Sequence, residues 1–305
     1  MTSTRRRVLL LAHPGRPEAL EVAMGVADRL AAAGIEVRLP AGELADSILG
    51  RHPVVVVHEG DDDPASDVEL VVVLGGDGTI LRGAETARSA NVPVLGVNLG
   101  HVGFLAEAER EDVEATVDHI VECAYDVEER MALDVVATLD GREIARSWAL
   151  NEVTVEKASR ERMLVLTVEI DGRPLSTWGC DGVVMATPTG STAYAFSAGG
   201  PVVWPGVEAM LVVPISAHAL FARPLVVAPT SDLAVDLVPG TEGHGVLWCD
   251  GRRAVDLPPG ARIEVSRSAQ PVRLARLSRS PFTDRLVAKF DLSVHGWRGR
   301  NRSGS

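Results

Sequence analysis

Aromatic side chains are scarce in this chain. They make up 4% of its 305 residues, and the 46% hydrophobic fraction rests mainly on Ala, Val and Leu. That fraction is ample for real cores, and the length points to two domains of roughly 100–200 residues each. Basic residues are in deficit: 30 Lys and Arg against 42 Asp and Glu leave a net charge of -12. Non-specific affinity for nucleic acid comes mainly from Lys and Arg on phosphates, so nucleic acid is not an expected partner. A small phosphorylated ligand, which needs only a few local donors, remains open. Cysteine is nearly absent. Cys123, Cys180 and Cys249 are far apart and form no CxxC pair or Cys/His cluster. This excludes a disulfide framework and reads as reduced thiols in a cytoplasmic protein. Long apolar runs are missing too, none approaching the ~18 residues of a membrane helix, so no membrane partner is expected. The run Val8–Ala12 is too short for a signal-peptide core and breaks at His13-Pro14-Gly15.

Two halves follow different periods. Residues 1–125 alternate short apolar runs (Val8–Leu11, Val54–Val57, Leu70–Leu74, Val92–Val97) with helical patterns over Pro17–Ala33, Thr79–Ala90 and Glu111–Cys123. Continuous apolar runs suit strands buried on both faces, and the strand–helix rhythm predicts an α/β domain with an open parallel sheet. Over 126–280 the runs become short strands: Leu133–Leu139, Trp148–Val155, Leu164–Ile170, Val183–Ala186, Leu225–Val227, Leu233–Leu237, Val246–Cys249, Arg262–Val265 and Val272–Leu277. Turn signals such as Asp140-Gly141, Asp171-Gly172 and Asp250-Gly251 separate them, which predicts a mostly antiparallel β domain. The apolar stretch Met210–Val213 suits a core or a subunit interface. A helical pattern returns at Phe282–Phe290, and the polar tail RGRNRSGS reads as mobile. The acidic stretch GDDDPASDVE (60–69) reads as a solvated loop.

Residues 70–79, LVVVLGGDGT, drive an apolar run into three glycines with an acid among them. Glycine amides at a strand's carboxyl end and a helix N-terminus attract anions. The stretch is neither GxxxxGK[ST], since no lysine follows, nor GxGxxG, since Ile80 and Leu81 stand where glycine is needed. One reading of Asp77 is a helix N-cap. The other is chemical: phosphoryl transfer to an alcohol needs a group that positions the hydroxyl and takes its proton, and a carboxylate beside a phosphate cradle does this or holds a divalent metal.

Two further stretches carry polar groups at element ends. In LNEVTVEK (150–157), Asn151 and Glu152 enter a strand. Successive strand residues face opposite ways, so both reach one ligand only at a bulge or strand end. The plain alternative is a polar pair at a strand end. In DGVVMATPTGSTAYAFSAGGP (181–201) a strand runs into a dense set of Thr, Ser and Gly around Tyr194, one of only two tyrosines. That density exceeds what a capped helix needs.

LGGDGTILR resembles the motif shared by NAD kinases, diacylglycerol kinases and their relatives. With the Asn-Glu pair, the Gly-Ser-Thr-Ala-Tyr segment preceded by Asp-Gly, and NLGHVGFLAE (98–107), the chain is similar to the NAD kinase family over about residues 70–290. The resemblance implies transfer of the terminal phosphoryl group of ATP, or of inorganic polyphosphate, to the 2′-hydroxyl of the adenosine ribose of NAD. It implies Mg²⁺ or Mn²⁺ with unassigned ligands, a homodimer or homotetramer, and a C-terminal segment, about 281–305, that returns to the first domain. It makes Asp77 the group that orients or deprotonates the hydroxyl. Gly75, Gly76, Gly78, Thr79 and Arg82 would receive donor phosphates. Phe104, Asn151, Glu152, Asp181, Thr192, Ala193, Tyr194 and Ser197 would bind NAD. Asp250 and Arg252 join them in a step that an Asp-Gly hairpin turn explains equally well. Arg162 is placed only by its distance from Asn151. His13, His101, His218 and His244 read as loop or structural residues. Two rivals remain: a lipid kinase with the same loop, and a dinucleotide-binding regulator without catalysis.

Overall fold

The computed structural model describes residues 5–13, 15, 17–48, 55–58, 63–100, 103–160, 162–240, 243–277 and 281–294. The chain divides into two compact units: Met1–Glu129 with Val272–Ser305, and Arg130–Pro271. The first limit lies four residues after the expected 125/126 and the second nine residues before the expected 280/281. The strands at both crossings pair into the first sheet.

In the first unit the elements are β1 (Arg7–Ala12), α1 (Pro17–Ala32), β2 (Glu36–Pro40), α2 (Glu43–Ile48), β3 (Val55–His58), β4 (Leu70–Leu74), α3 (Asp77–Ser89), β5 (Val94–Asn98), β6 (Ala108–Glu109), α4 (Val113–Val121) and β7 (Asp126–Arg130). The second unit holds β8 (Leu133–Leu139), β9 (Arg142–Ala149), β10 (Glu152–Lys157), β11 (Leu164–Ile170), β12 (Arg173–Cys180), β13 (Gly182–Ala186), α5 (Tyr194–Ser197), β14 (Met210–Ile215), β15 (Leu225–Val227), β16 (Leu233–Leu237), β17 (Gly245–Cys249), β18 (Arg253–Leu257) and β19 (Arg262–Arg267). The chain then re-enters the first unit as β20 (Val272–Arg276) and α6 (Phe282–Phe290).

The first sheet has the order β3-β2-β1-β4-β5-β20-β7, with β6 alongside β5. β1, β2, β3, β4 and β5 pair in parallel. Every residue of β4 and β5 is buried, as their unbroken apolar runs require of strands covered on both faces.

The second unit contains two antiparallel six-stranded sheets, β15-β14-β13-β10-β17-β18 and β12-β11-β16-β19-β8-β9. Residues from both share one core around Trp178, which is fully buried. β13 and β14 are buried on both faces, because Val184, Leu211 and Val213 pack against Ala195 and Val203 on the far side. The run Met210–Val213 is therefore core. Asp140-Gly141, Asp171-Gly172 and Asp250-Gly251 all take positive φ, the backbone that a two-residue hairpin turn demands. The expected strand Trp148–Val155 is two strands. β9 stops at Ala149 and β10 starts at Glu152, and the break leaves Leu150 and Asn151 between them.

Candidate active site

In the first unit the glycine loop is shaped by packing as well as chemistry. A Cβ at Gly75 would lie 2.6 Å from the Thr79 hydroxyl, so that glycine is required by the fold. At Gly76 and Gly78 a Cβ would meet nothing within 4 Å among the described residues. Gly76, not Asp77, is the N-cap of α3, and no side chain caps it. Asp77 is the first residue of the helix, and its half-buried carboxylate turns toward the 103–105 turn. Oδ2 accepts the Phe104 N–H and Oδ1 the Leu105 N–H, each at 3.0 Å. A carboxylate oxygen has two acceptor sites, so each keeps one for another proton or ligand. Gly103 makes this possible, since a Cβ there would stand 2.3 Å from Oδ1.

Beside the loop, at the carboxyl ends of β1 and β2, opens a cavity of about 280 Å³ lined by Leu11, His13, Leu20, Pro40, Thr79 and Arg82 among others. His13 Nδ1 is buried with no hydrogen-bond partner among the described residues. Phe104 packs its ring against Phe282 and Phe290, centroids 5.8 and 6.0 Å away and tilted by 36° and 46°, and is half-buried there.

In the second unit Asp250 organises the Asn-Glu pair. Its Oδ1 accepts the N–H of Asn151 at 2.7 Å and of Glu152 at 3.3 Å, while Oδ2 accepts the N–H of Leu150 at 2.9 Å. The Asp-Gly step is thus both a hairpin turn and a brace. Its charge partner is Arg253, at 3.0 Å; Arg252 is exposed at the hairpin tip. From the other side the Thr187 hydroxyl donates to the Leu150 carbonyl at 2.6 Å, and a Cβ at Gly190 would fall 2.0 Å from the Asn151 carbonyl oxygen. The break between β9 and β10 is therefore braced from both sides.

The brace leaves Glu152 nearly buried, 6% exposed. Burial first, and the Asp250 charge second, push its carboxyl up to about 8, while the Tyr194 N–H pulls it down. Burial likewise raises Asp250, against the backbone donors and Arg253. Glu152, Thr154, Glu156, Tyr194, Trp248 and Gly251 line a cavity of about 420 Å³. Thr154 donates its hydroxyl to Glu156 Oε1 at 2.6 Å, and Tyr194 donates its own to Oε2 at 3.2 Å. One flat ring, one indole, the Glu156 carboxylate and the Glu152 carboxyl suit a planar base with amino or hydroxyl donors.

Sequence reasoning missed Thr154, Glu156, Trp248 and the role of Gly103. Of the expected residues, Asp181 pairs with Lys157 at 2.5 Å. Thr192 donates to the Thr189 carbonyl at 3.3 Å. Ala193 precedes α5, and Ser197 ends it, exposed. Arg162 is exposed ahead of β11 and is not among the lining residues of the cavity. His218 donates its backbone N–H to Gly179, and the His244 carbonyl accepts from Ala158, which are structural uses. His101 lies outside the described residues.

Comparison with known proteins bears on both units. Residues 8–125 match the family model of the ATP-NAD kinase N-terminal domain, and residues 150–277 that of the ATP-NAD kinase C-terminal domain. An NAD kinase of Thermobifida fusca is 62% identical over 98% of this chain and 93% of its own. NAD kinase 2 of Streptomyces avermitilis is 61% identical over 98% and 99%. Among solved structures, yeast NADH kinase complexed with NADH shares the fold at TM-score 0.87 and 24% identity, covering 96% of this chain and 89% of that one. An NAD kinase from Archaeoglobus fulgidus in complex with ATP aligns at TM-score 0.70 and 25% identity, covering 93% and 98%.

Proposed function

The chain belongs to the NAD kinase family and is a phosphotransferase that phosphorylates NAD, and from that premise we propose how its residues divide the work. Asp77 meets the 2′-hydroxyl of the adenosine ribose. The hydroxyl oxygen forms the new bond to the terminal phosphorus of the donor, the bond from that phosphorus to the leaving phosphate breaks, and the proton passes to Asp77. The observation that carries this reading is the Asp77 carboxylate, fixed by two backbone amides at 3.0 Å between two glycines whose Cβ direction is clear of the described residues. Positioning of this kind is where phosphoryl-transfer enzymes find most of their catalysis.

The donor phosphates take the Gly76–Gly78 backbone and the N-terminus of α3, with Arg82 on the same helix as a second cation. The apolar wall of the neighbouring cavity, Leu11, Leu20 and Pro40, suits a purine, so ATP is the donor in preference to bare polyphosphate. Glu152, Glu156, Tyr194 and Trp248 hold the dinucleotide. Among the described residues no three His, Cys, Asp or Glu side chains converge on a metal position. Mg²⁺ would come with the donor phosphates, and Asp77 is the carboxylate that would lie near it. Bound there, Mg²⁺ would neutralise charge on the phosphates.

Purified protein, NAD and Mg²⁺ are to be incubated with ATP or polyphosphate, and NADP read with an NADP-specific dehydrogenase. NADP from ATP and little from polyphosphate supports the reading. NADP from polyphosphate alone would remove the purine cavity from it, and none from either donor would remove the kinase. Self-association is expected through the second unit, where Trp204, Val207 and Phe221 expose apolar surface. A monomer in sedimentation velocity at micromolar concentration would refute it.

A further inference from the structure

The C-terminal helix contains none of the motifs, yet it grips the turn that holds Asp77. The Arg285 guanidinium donates through Nη1 to the carbonyl oxygens of Ala106 at 2.7 Å and Phe104 at 3.2 Å, and through Nη2 to Glu107 Oε2 at 2.6 Å. Glu107 has no exposed side-chain surface, and Arg276 at 2.9 Å and the Leu277 N–H at 3.1 Å bind it too. Arg285 is thus anchored to a fixed partner. The Phe104 carbonyl and the Leu105 N–H belong to one peptide group. That N–H is the donor to Asp77 Oδ1. A single peptide unit therefore links a cation to the carboxylate, donor to acceptor at each step. Hydrogen bonds in such a chain polarise one another by roughly 10–30% each. The other arm of the grip is apolar. Phe282 and Phe290, both on α6, hold the Phe104 ring, and the Phe104 N–H is the donor to Oδ2.

We propose that Arg285 is a positioning residue for Asp77, acting through the Phe104–Leu105 peptide group. Its consequence for turnover rests on the reading of Asp77 as the group that meets the accepting hydroxyl. A guanidinium satisfies two carbonyls and a carboxylate at once because its donors form a rigid fork, which a lysine does not reproduce.

The first experiment reads the contact chain without substrate. Amide hydrogen exchange at Leu105 is followed by NMR in the wild-type chain, in Arg285→Ala and in Arg285→Lys. Faster exchange at Leu105 in Arg285→Ala, with part of the protection restored in Arg285→Lys and exchange of the β1 and β4 amides of the same unit unchanged, supports the proposal. Unaltered Leu105 exchange in folded Arg285→Ala overturns it. The second experiment reads NADP formation. Arg285→Ala should lower kcat about tenfold and leave KM for NAD within about twofold. In the Asp77→Asn background the same substitution should change kcat by less than about twofold, because the group it serves is already gone. A second tenfold loss in that background would mean a general structural role and overturn the proposal. If Arg285→Ala does not fold, Arg285→Lys takes its place in both experiments, with a kcat loss of about threefold expected in the single variant. Failure of the kinase reading shows separately, as absence of NADP from the wild-type chain, and the exchange experiment still decides the contact chain.

Discussion

Replacing Glu152 by Gln should stabilise the second unit at alkaline pH and leave it nearly unchanged in acid. Glu152 is 6% exposed, and its carboxyl is raised from 4.5 to about 8, by burial first and by Asp250 second. The folded protein therefore keeps a proton that the unfolded chain releases across that window. The stabilisation is complete below the unfolded value and is lost as pH climbs through the folded one. Each pH unit inside the window is worth 1.36 kcal/mol, so the ceiling is about 5 kcal/mol, reduced by relaxation around the newly ionised group. Gln copies the neutral acid in shape and removes the titration. Urea unfolding at several values between about pH 5 and pH 9 would measure it. Trp148, Trp178, Trp204 and Trp248, four of the five tryptophans, lie in this unit, so indole emission reports its unfolding. Wild type and Glu152→Gln should lie within about 1 kcal/mol of each other near pH 5 and separate steadily up to about pH 8, with the variant above. Parallel curves, or a variant below wild type at high pH, would refute the assignment of a buried, protonated Glu152.

Asp77→Asn should cost roughly 10²–10⁴-fold in kcat with little change in KM for NAD; near-normal turnover would remove Asp77 from the chemistry. Gly76→Ala meets no described atom within 4 Å, so its melting temperature should fall by no more than a few degrees, the cost of an Ala N-cap, while KM for ATP rises several-fold, and an unchanged KM would show that the donor does not approach there. Gly190→Ala drives a methyl toward the Asn151 carbonyl; a loss of about 2 kcal/mol or more in the second unit is expected in urea unfolding, and an unchanged midpoint would refute the brace.

Much of this was readable in advance for definite reasons. β4 and β13 are buried on both faces and therefore announce themselves as unbroken apolar runs. β9 and β12 face solvent along much of their length and carry Arg, Glu and Ser, so no run marks them. Only the Asp-Gly turns beside them hint that partners exist. The lining residues Glu152, Thr154 and Glu156 alternate with Val153 and Val155, and that period of two is visible in EVTVE. It shows one polar face, whereas attention to the Asn-Glu pair alone hides it. Trp248 comes from β17, whose antiparallel register sets it opposite Thr154; no local pattern supplies that pairing. Asp77 was legible as an acid among glycines. Its actual partners, the amides of 104 and 105, lie 27 and 28 residues away, beyond the reach of helix-capping rules.

The placement of β20 has a further consequence, for the ribosome. β20 lies between β5 and β7 in the first sheet, but the chain reaches it only after Arg130–Pro271 has been made. At roughly 5–20 residues per second that intervening unit takes on the order of 10–30 s to synthesise. Throughout that interval the far edge of β5, a strand of five buried residues, is paired only by the two-residue β6 at Val97 and Asn98, and its Val94 end waits for β20. Such an edge is a template for wrong pairing. The long excursion of the chain thus makes translation speed, and whatever shields β5 near the exit tunnel, a determinant of yield.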